Sequence, residues 1–131
     1  MQRPTTVRSR TSLFEDACRI VERDYADDLQ LDDIARRVAS SRRQLQRAFA
    51  EIGGTTFREY VTRVRMERAA QMLAARGPTV REVARRVGYS QPAQFAKAFR
   101  RHAGLTPSAY RSDRTALRPS AGRPAAGLAA A

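Results

Sequence analysis

The chain says one thing twice. Ile34-Ala35-Arg36-Arg37-Val38 matches Val83-Ala84-Arg85-Arg86-Val87 at an offset of 49. With the offset widened by one, Leu45 answers to Phe95, Arg47 to Lys97, Ala48 to Ala98, Phe49 to Phe99, Gly54 to Gly104, Thr56 to Thr106 and Tyr60 to Tyr110. An internal repeat constrains the architecture more than any single residue, because each copy must fold to the same small unit. Two copies are too few for a solenoid, which needs three or more to bury a continuous core. They suit a tool used in two places.

The apolar residues recur at three- and four-residue spacing, and no stretch alternates as a strand would, so the fold is expected to be all-α. The first helix is expected to start at Ser12, where S-L-F-E forms a capping box, and to bury Leu13, Phe14, Ala17, Ile20, Val21 and Tyr25. A short helix follows at about Leu31–Val38, with Asp32 and Asp33 in its first turn, where acids suit the helix dipole. After Ala39-Ser40 a helix capped by Ser41 buries Leu45, Ala48, Phe49 and Ile52 and stops at Gly53-Gly54. A second capping box, Thr56 with Glu59, opens a long helix that runs to Gly77-Pro78. A third, Thr79 with Glu82, opens the second copy, whose helix from Pro92 to His102 buries Phe95, Ala98 and Phe99. Thr106-Pro107 starts a last short helix carrying Tyr110. The organisation read from this is a flexible arm at 1–11, a first unit at 12–55, a linker helix at 56–76, a second unit at 77–111 and a disordered tail at 112–131.

Each copy is thus a short helix, a tight turn and a second helix with a basic outer face, the sequence form of a helix-turn-helix. The second helix of that motif enters the major groove of DNA and reads base edges with its outward residues. Base-reading is expected from Arg43, Gln46 and Arg47 in the first copy and from Ala93, Gln94, Ala96 and Lys97 in the second. Arg42, Thr56, Arg100, Arg101 and Thr106 are expected to touch phosphate. The long middle helix, roughly 20 residues or about 30 Å, approaches the roughly 34 Å between successive major-groove faces. One chain carrying both heads is expected to bind double-stranded DNA as a monomer at an asymmetric site.

Charge supports a polyanion partner. The 131 residues carry a formal net charge of +12, from 24 Arg, one Lys and 13 acids. Arg suits bidentate contact with phosphate or guanine, and a GC-rich genome would produce the same bias, so the distribution carries the argument. Residues 31–111 hold 17 basic and 6 acidic groups, whereas residues 12–30 hold 2 and 6. The repeat is the basic part, and the acidic first helix is expected to face away from DNA, toward a protein partner such as RNA polymerase.

The stretch VREVARRVGYSQPAQFAKAFRRHAGLTPSAYR resembles the signature of AraC/XylS transcription regulators, and the resemblance extends over about Phe14 to Arg111. Ala84, Gly88, Tyr89, Phe95, Phe99, Gly104, Pro107, Tyr110 and Arg111 fall where the family pattern places them. The resemblance implies two helix-turn-helix subdomains joined by a long linker helix, no cofactor, and sequence-specific regulation of promoters, commonly activation through RNA polymerase. A chain of this length is expected to be of the compact, stand-alone type; the DNA-binding half of a longer, ligand-sensing regulator is the alternative. Two departures stand out. Ala39-Ser40 occupies the first turn where the family usually has Gly and a large apolar residue, so that turn is expected to be strained or altered. Pro92, Ala93 and Ala96 replace polar readers in the second helix, so readout there is expected to be weak.

Other classes find little support. No nucleophile–base pair, Gly-rich phosphate loop or metal cluster is present in the sequence, so an enzyme is not expected. Asp32 and Asp33 have no third ligand nearby to make a metal site. The single Cys18 is read as a packed thiol, and His102 has no catalytic or metal partner in sequence. With no signal core and no membrane-length apolar run, a cytoplasmic location is expected. A non-specific architectural DNA binder is the remaining rival, favoured by the second copy and opposed by Arg43, Gln46 and Arg47 in the first.

Overall fold

A computed structural model describes residues 2–75 and 77–117, with side chains at 10–75 and 77–113. Among the described residues the secondary structure is seven α-helices and one π-helical turn, with no strand. The helices are α1 (Gln2–Asp24), α2 (Leu31–Arg37), α3 (Arg42–Ala48), α4 (Phe57–Ala74), α5 (Val80–Arg86), α6 (Pro92–Ala103) and α7 (Pro107–Leu117). The π-turn, Phe49–Gly53, continues directly from α3. The chain divides into two compact units, Met1–Arg65 and Met66–Ala131. Residues Phe57–Arg65 of α4 fall in the first unit and Met66–Ala74 in the second.

The predicted stops and starts are made by the groups the sequence offers. Ser41 accepts from Gln44 N at 3.1 Å. Thr56 accepts from Glu59 N at 3.0 Å while Glu59 accepts from Thr56 N at 3.4 Å. Thr79 and Glu82 form the same reciprocal pair at 3.0 and 2.8 Å. Thr106 accepts from Ala109 N at 3.1 Å and so caps α7. Gly54 and Gly104, with φ of +63° and +83°, terminate the two second helices in the left-handed region.

The first helix corrects the sequence reading. It begins at Gln2, so Ser12 lies inside it and caps nothing, and residues 2–11 are helix rather than arm. Pro4 is compatible because it lies in the first turn, where no intrahelical N–H is needed. Arg10 ties this helix to the π-turn through Glu51 at 2.6 Å. At the other end the tail expected at 112–131 is corrected as well: α7 runs through residues 112–117, and residues 118–131 lie outside the described residues.

The first unit packs Ala17, Ile34, Ala35, Leu45 and Phe49 into one core, with Phe14 and Tyr60 against it. Phe49 stands edge-on to Phe14 and Phe57 at centroid distances of 5.1 and 5.7 Å, with Tyr60 tilted at 5.8 Å. Gly53 lies so close under the Phe14 ring that a Cβ there would come within 2.5 Å of it. Ile52, expected in this core, is 41% exposed. In the second unit Val83, Ala84, Val87, Phe95 and Phe99 are buried, and Tyr110 meets Phe99 edge-on at 5.2 Å. Tyr60 and Tyr110 therefore hold the equivalent places the repeat gives them.

Each unit also has an arginine that closes a helix end. Arg65 donates to the carbonyls of Tyr25 and Asp27 at 2.7 and 2.8 Å, just past α1. Arg111 donates to those of Leu73 and Pro78 at 3.0 and 2.6 Å, at the end of α4.

Candidate nucleic-acid interface

The turn between the two helices of each unit is the same object. After α2, Ala39 N bonds Arg36 O at 3.1 Å and Ser40 N bonds Ala35 O at 2.8 Å. After α5, Gly88 N bonds Arg85 O at 3.0 Å and Tyr89 N bonds Ala84 O at 2.9 Å. This paired pattern is the Schellman closure, which needs a left-handed residue just past the helix. Gly88 supplies it at φ +100°, and Ala39 is forced to it at φ +56°. The expected strain at Ala39 is present, and the hydrogen bonding of the turn is unaltered. Tyr89 packs on Phe95 at 5.7 Å, whereas Ser40 donates to Ser41 O at 3.0 Å.

The turn sets the second helix so that one face is buried and the other outside. On α3 and the first residue of the π-turn, Leu45, Ala48 and Phe49 are buried, and Arg42, Arg43, Gln46 and Arg47 are exposed. Arg43, Gln46 and Arg47, spaced three and four apart, share one outward face. On α6, Phe95 and Phe99 are buried, Ala93, Gln94 and Lys97 exposed, and Ala96 half-buried. Ala96, at the place held by the exposed Gln46, thus offers less surface as well as no polar group. Lys97, Arg100, Arg101 and Thr106 come together with Ala96 along one open groove of about 550 Å³. Thr56, the first-unit counterpart of Thr106, is exposed at the start of α4.

The cations differ in what they already hold. Arg42 meets Asp32 at 3.6 Å, with both side chains 61% exposed, a contact water screens heavily. Arg36 pairs with Asp33, and Arg37 with Asp24 at 3.1 Å. Hydrogen bonds from Arg23 and then Arg37 hold the Asp24 carboxyl below the usual carboxylate range. Arg43, Arg47, Lys97, Arg100 and Arg101 form no ion pair among the described residues. Arg81 and Arg85 are not among the contacts expected from the sequence. Both are exposed on α5, and the available signal was that Arg81 stands where the other copy has Asp32.

The acidic first helix is less open than expected. Asp16 pairs with Arg19, and Glu22 accepts the Tyr60 hydroxyl at 3.0 Å. Burial, then the neighbouring Cys18, raises the Tyr60 hydroxyl well above its ordinary range, and burial likewise raises the Cys18 thiol. Cys18 is a half-buried member of the first core, as the sequence predicts. Among the described residues no helix is long and apolar enough to cross a membrane.

Comparison with known proteins places this geometry in a class. Residues 34–113 match the family model described as a helix-turn-helix domain. The chain superposes with a TM-score of 0.75 on an AraC-type regulator from Chromobacterium violaceum, at 31% identity over 79% of this chain and 92% of that one. The DNA-binding domain of AdpA, solved in complex with a target DNA, is similar at 27% identity and a TM-score of 0.75, over 81% and 96% of the two chains. The chain belongs to the AraC-type helix-turn-helix family of transcription regulators. It is also 31% identical over 119 residues to an uncharacterized HTH-type transcriptional regulator of Staphylococcus aureus strain MRSA252, 87% of this chain but 16% of that protein. The chain thus spans about one sixth of the length of that relative.

Proposed function

We propose that the chain is a sequence-specific DNA-binding regulator of transcription that inserts α3 and α6 into successive major grooves of an asymmetric promoter site, as a monomer. The observation that carries this reading is the outward face of α3. It holds Arg43, Gln46 and Arg47 without ion pairs, over a buried Leu45 and Phe49 that fix its orientation. Arg pairs bidentately with guanine and Gln with adenine, so this face can discriminate bases. On α6, Ala93 and Ala96 can touch thymine methyls, Gln94 is the neutral polar reader, and Lys97 reads or holds phosphate. Arg42, Thr56, Arg100, Arg101 and Thr106 are assigned to phosphate. Activation through RNA polymerase is the regulatory sense we assign, as in the commonest members of the family.

A randomised-site selection with the intact chain tests the reading. The expected product is a non-palindromic motif over roughly two DNA turns, strict and G-containing under α3 and degenerate under α6. No recovered preference would overturn specific recognition, and two chains on a minimal site would overturn monomeric binding. Transcription in vitro from a promoter carrying the selected site should rise on adding the protein; a fall would make it a repressor.

A further inference from the structure

The two copies put one acid to different uses. At the third position of α2, the Asp33 carboxylate accepts from Arg36 one turn on, and no capping box forms. At the matching position of α5, the Glu82 carboxylate accepts from Thr79 N at 2.8 Å and completes the capping box. Arg85, one turn on, forms no ion pair among the described residues. Arg81 stands where the first unit has Asp32, the partner of Arg42. Arg81 and Arg85 are both exposed and four residues apart, so two like charges share one face of a seven-residue helix. Arg81 and Arg85 repel each other, Glu82, the one acid of the helix, is held at the Thr79 cap, and Arg81 also lies in the first turn, where the helix dipole disfavours a cation. A local rule broken twice at one place points to an external anion.

We infer that Arg81 and Arg85 form a second phosphate-contact site on α5, outside the reading helix, that grips the backbone of the bound duplex. The inference rests on the DNA-binding reading above. The first helix of a helix-turn-helix crosses the DNA backbone, and a guanidinium matches phosphate bidentately. The charge distribution agrees: residues 66–131 carry 12 basic and 3 acidic groups, residues 1–65 carry 13 and 10. Backbone grip therefore concentrates in the second unit and base discrimination in the first.

The test compares wild type with R81Q/R85Q on the selected site and on a random duplex of equal length, across a salt series. The slope of log affinity against log salt should fall by about 1.8, since each phosphate contact contributes about 0.9. Both duplexes should lose affinity by the same factor. R81K/R85K should keep the slope, because charge suffices, and R36Q/R37Q in the first unit should change it less than half as much. The inference is overturned by an unchanged slope in R81Q/R85Q, by a loss confined to the selected site, by equal slope loss in the Lys variant, or by an equal effect of R36Q/R37Q. A wild type that binds both duplexes alike would instead overturn specific recognition and leave the salt readout intact.

Discussion

Ala39 and Gly88 occupy the same place in two copies of one turn. The backbone around them makes the same two hydrogen bonds, although one residue has a side chain in the left-handed region and the other has none. The helices on either side, held by buried Ile34, Ala35 and Leu45 in one unit and Val83, Ala84 and Phe95 in the other, over-determine the turn. The units part company in what surrounds that shared frame. The first has three rings around Phe49 and ion pairs from Arg36 and Arg37 on α2; the second has Phe95 and Tyr110 beside Phe99, while Arg81 and Arg85 on α5 form no ion pair among the described residues. On the proposed reading, common backbone logic with different side-chain investment would let one motif act as reader in one place and grip in another.

The largest way to press on this comparison is through the two rings. Phe49→Ala and Phe99→Ala each remove a fully buried aromatic and should each destabilise by about 3–5 kcal/mol in denaturant unfolding. Phe49→Ala should lose more, because each additional aromatic contact is worth about 0.5–1.5 kcal/mol. A greater loss in Phe99→Ala would show that ring count is not what separates the two cores.

Next come the heads themselves. Arg47→Ala should lose about 1–3 kcal/mol of discrimination and relax one base position. Arg101→Ala should weaken all sequences alike and reduce the salt slope by about one unit. Titrations against single-base variants of the selected site measure both, and sequence-selective loss in Arg101→Ala would reverse the assigned roles.

The turn gives a smaller, mirrored pair. Ala39→Gly relieves a strained φ and should stabilise by about 1 kcal/mol, whereas Gly88→Ala should destabilise by about 1–2 kcal/mol. Thermal melts of the two variants would dissolve the contrast if both shifted the same way.

The smallest effect concerns acid. Asp24 is depressed by Arg23 and Arg37, so its contribution is present above the ordinary carboxylate value of about 3.9 and fades as pH falls through its lower folded value. Stability curves of wild type and Asp24→Asn should therefore converge as pH drops below about 4. A gap that stays constant through that range would remove Asp24 from the acid response.

Much of this was legible because caps and buried faces are local. Thr56 with Glu59, Thr79 with Glu82, and Ser41 alone mark their helix starts by residue type and spacing. The outward set Arg43, Gln46 and Arg47 follows from the inward Leu45 and Phe49 by helical period. The start of α1 was misread because S-L-F-E also occurs comfortably inside a helix, and Pro4 raises no objection in a first turn. The pairing of charges was not legible at all. Whether Glu82 neutralises Arg85 depends on whether its carboxylate is already held by Thr79, and the letters E and R three apart do not say. Arg65 and Arg111 were equally hidden, since contacts from a guanidinium to carbonyls some 33 to 40 residues away leave no periodic trace.

Those two arginines bear on how a distant polyanion perceives this molecule. Each aims its guanidinium into backbone carbonyls at the carboxyl end of a helix, where the aligned peptide dipoles amount to about half a negative charge. Cation and dipole end form a local multipole whose field dies away faster than that of a bare charge. Formal charge is thus a poor guide to the long-range potential here: +12 is a sum over unequal sources. On the proposed reading, an approaching duplex would be steered chiefly by the exposed arginines of α5 and α6, which form no ion pair among the described residues, and association rate rather than final affinity is where that unevenness would register.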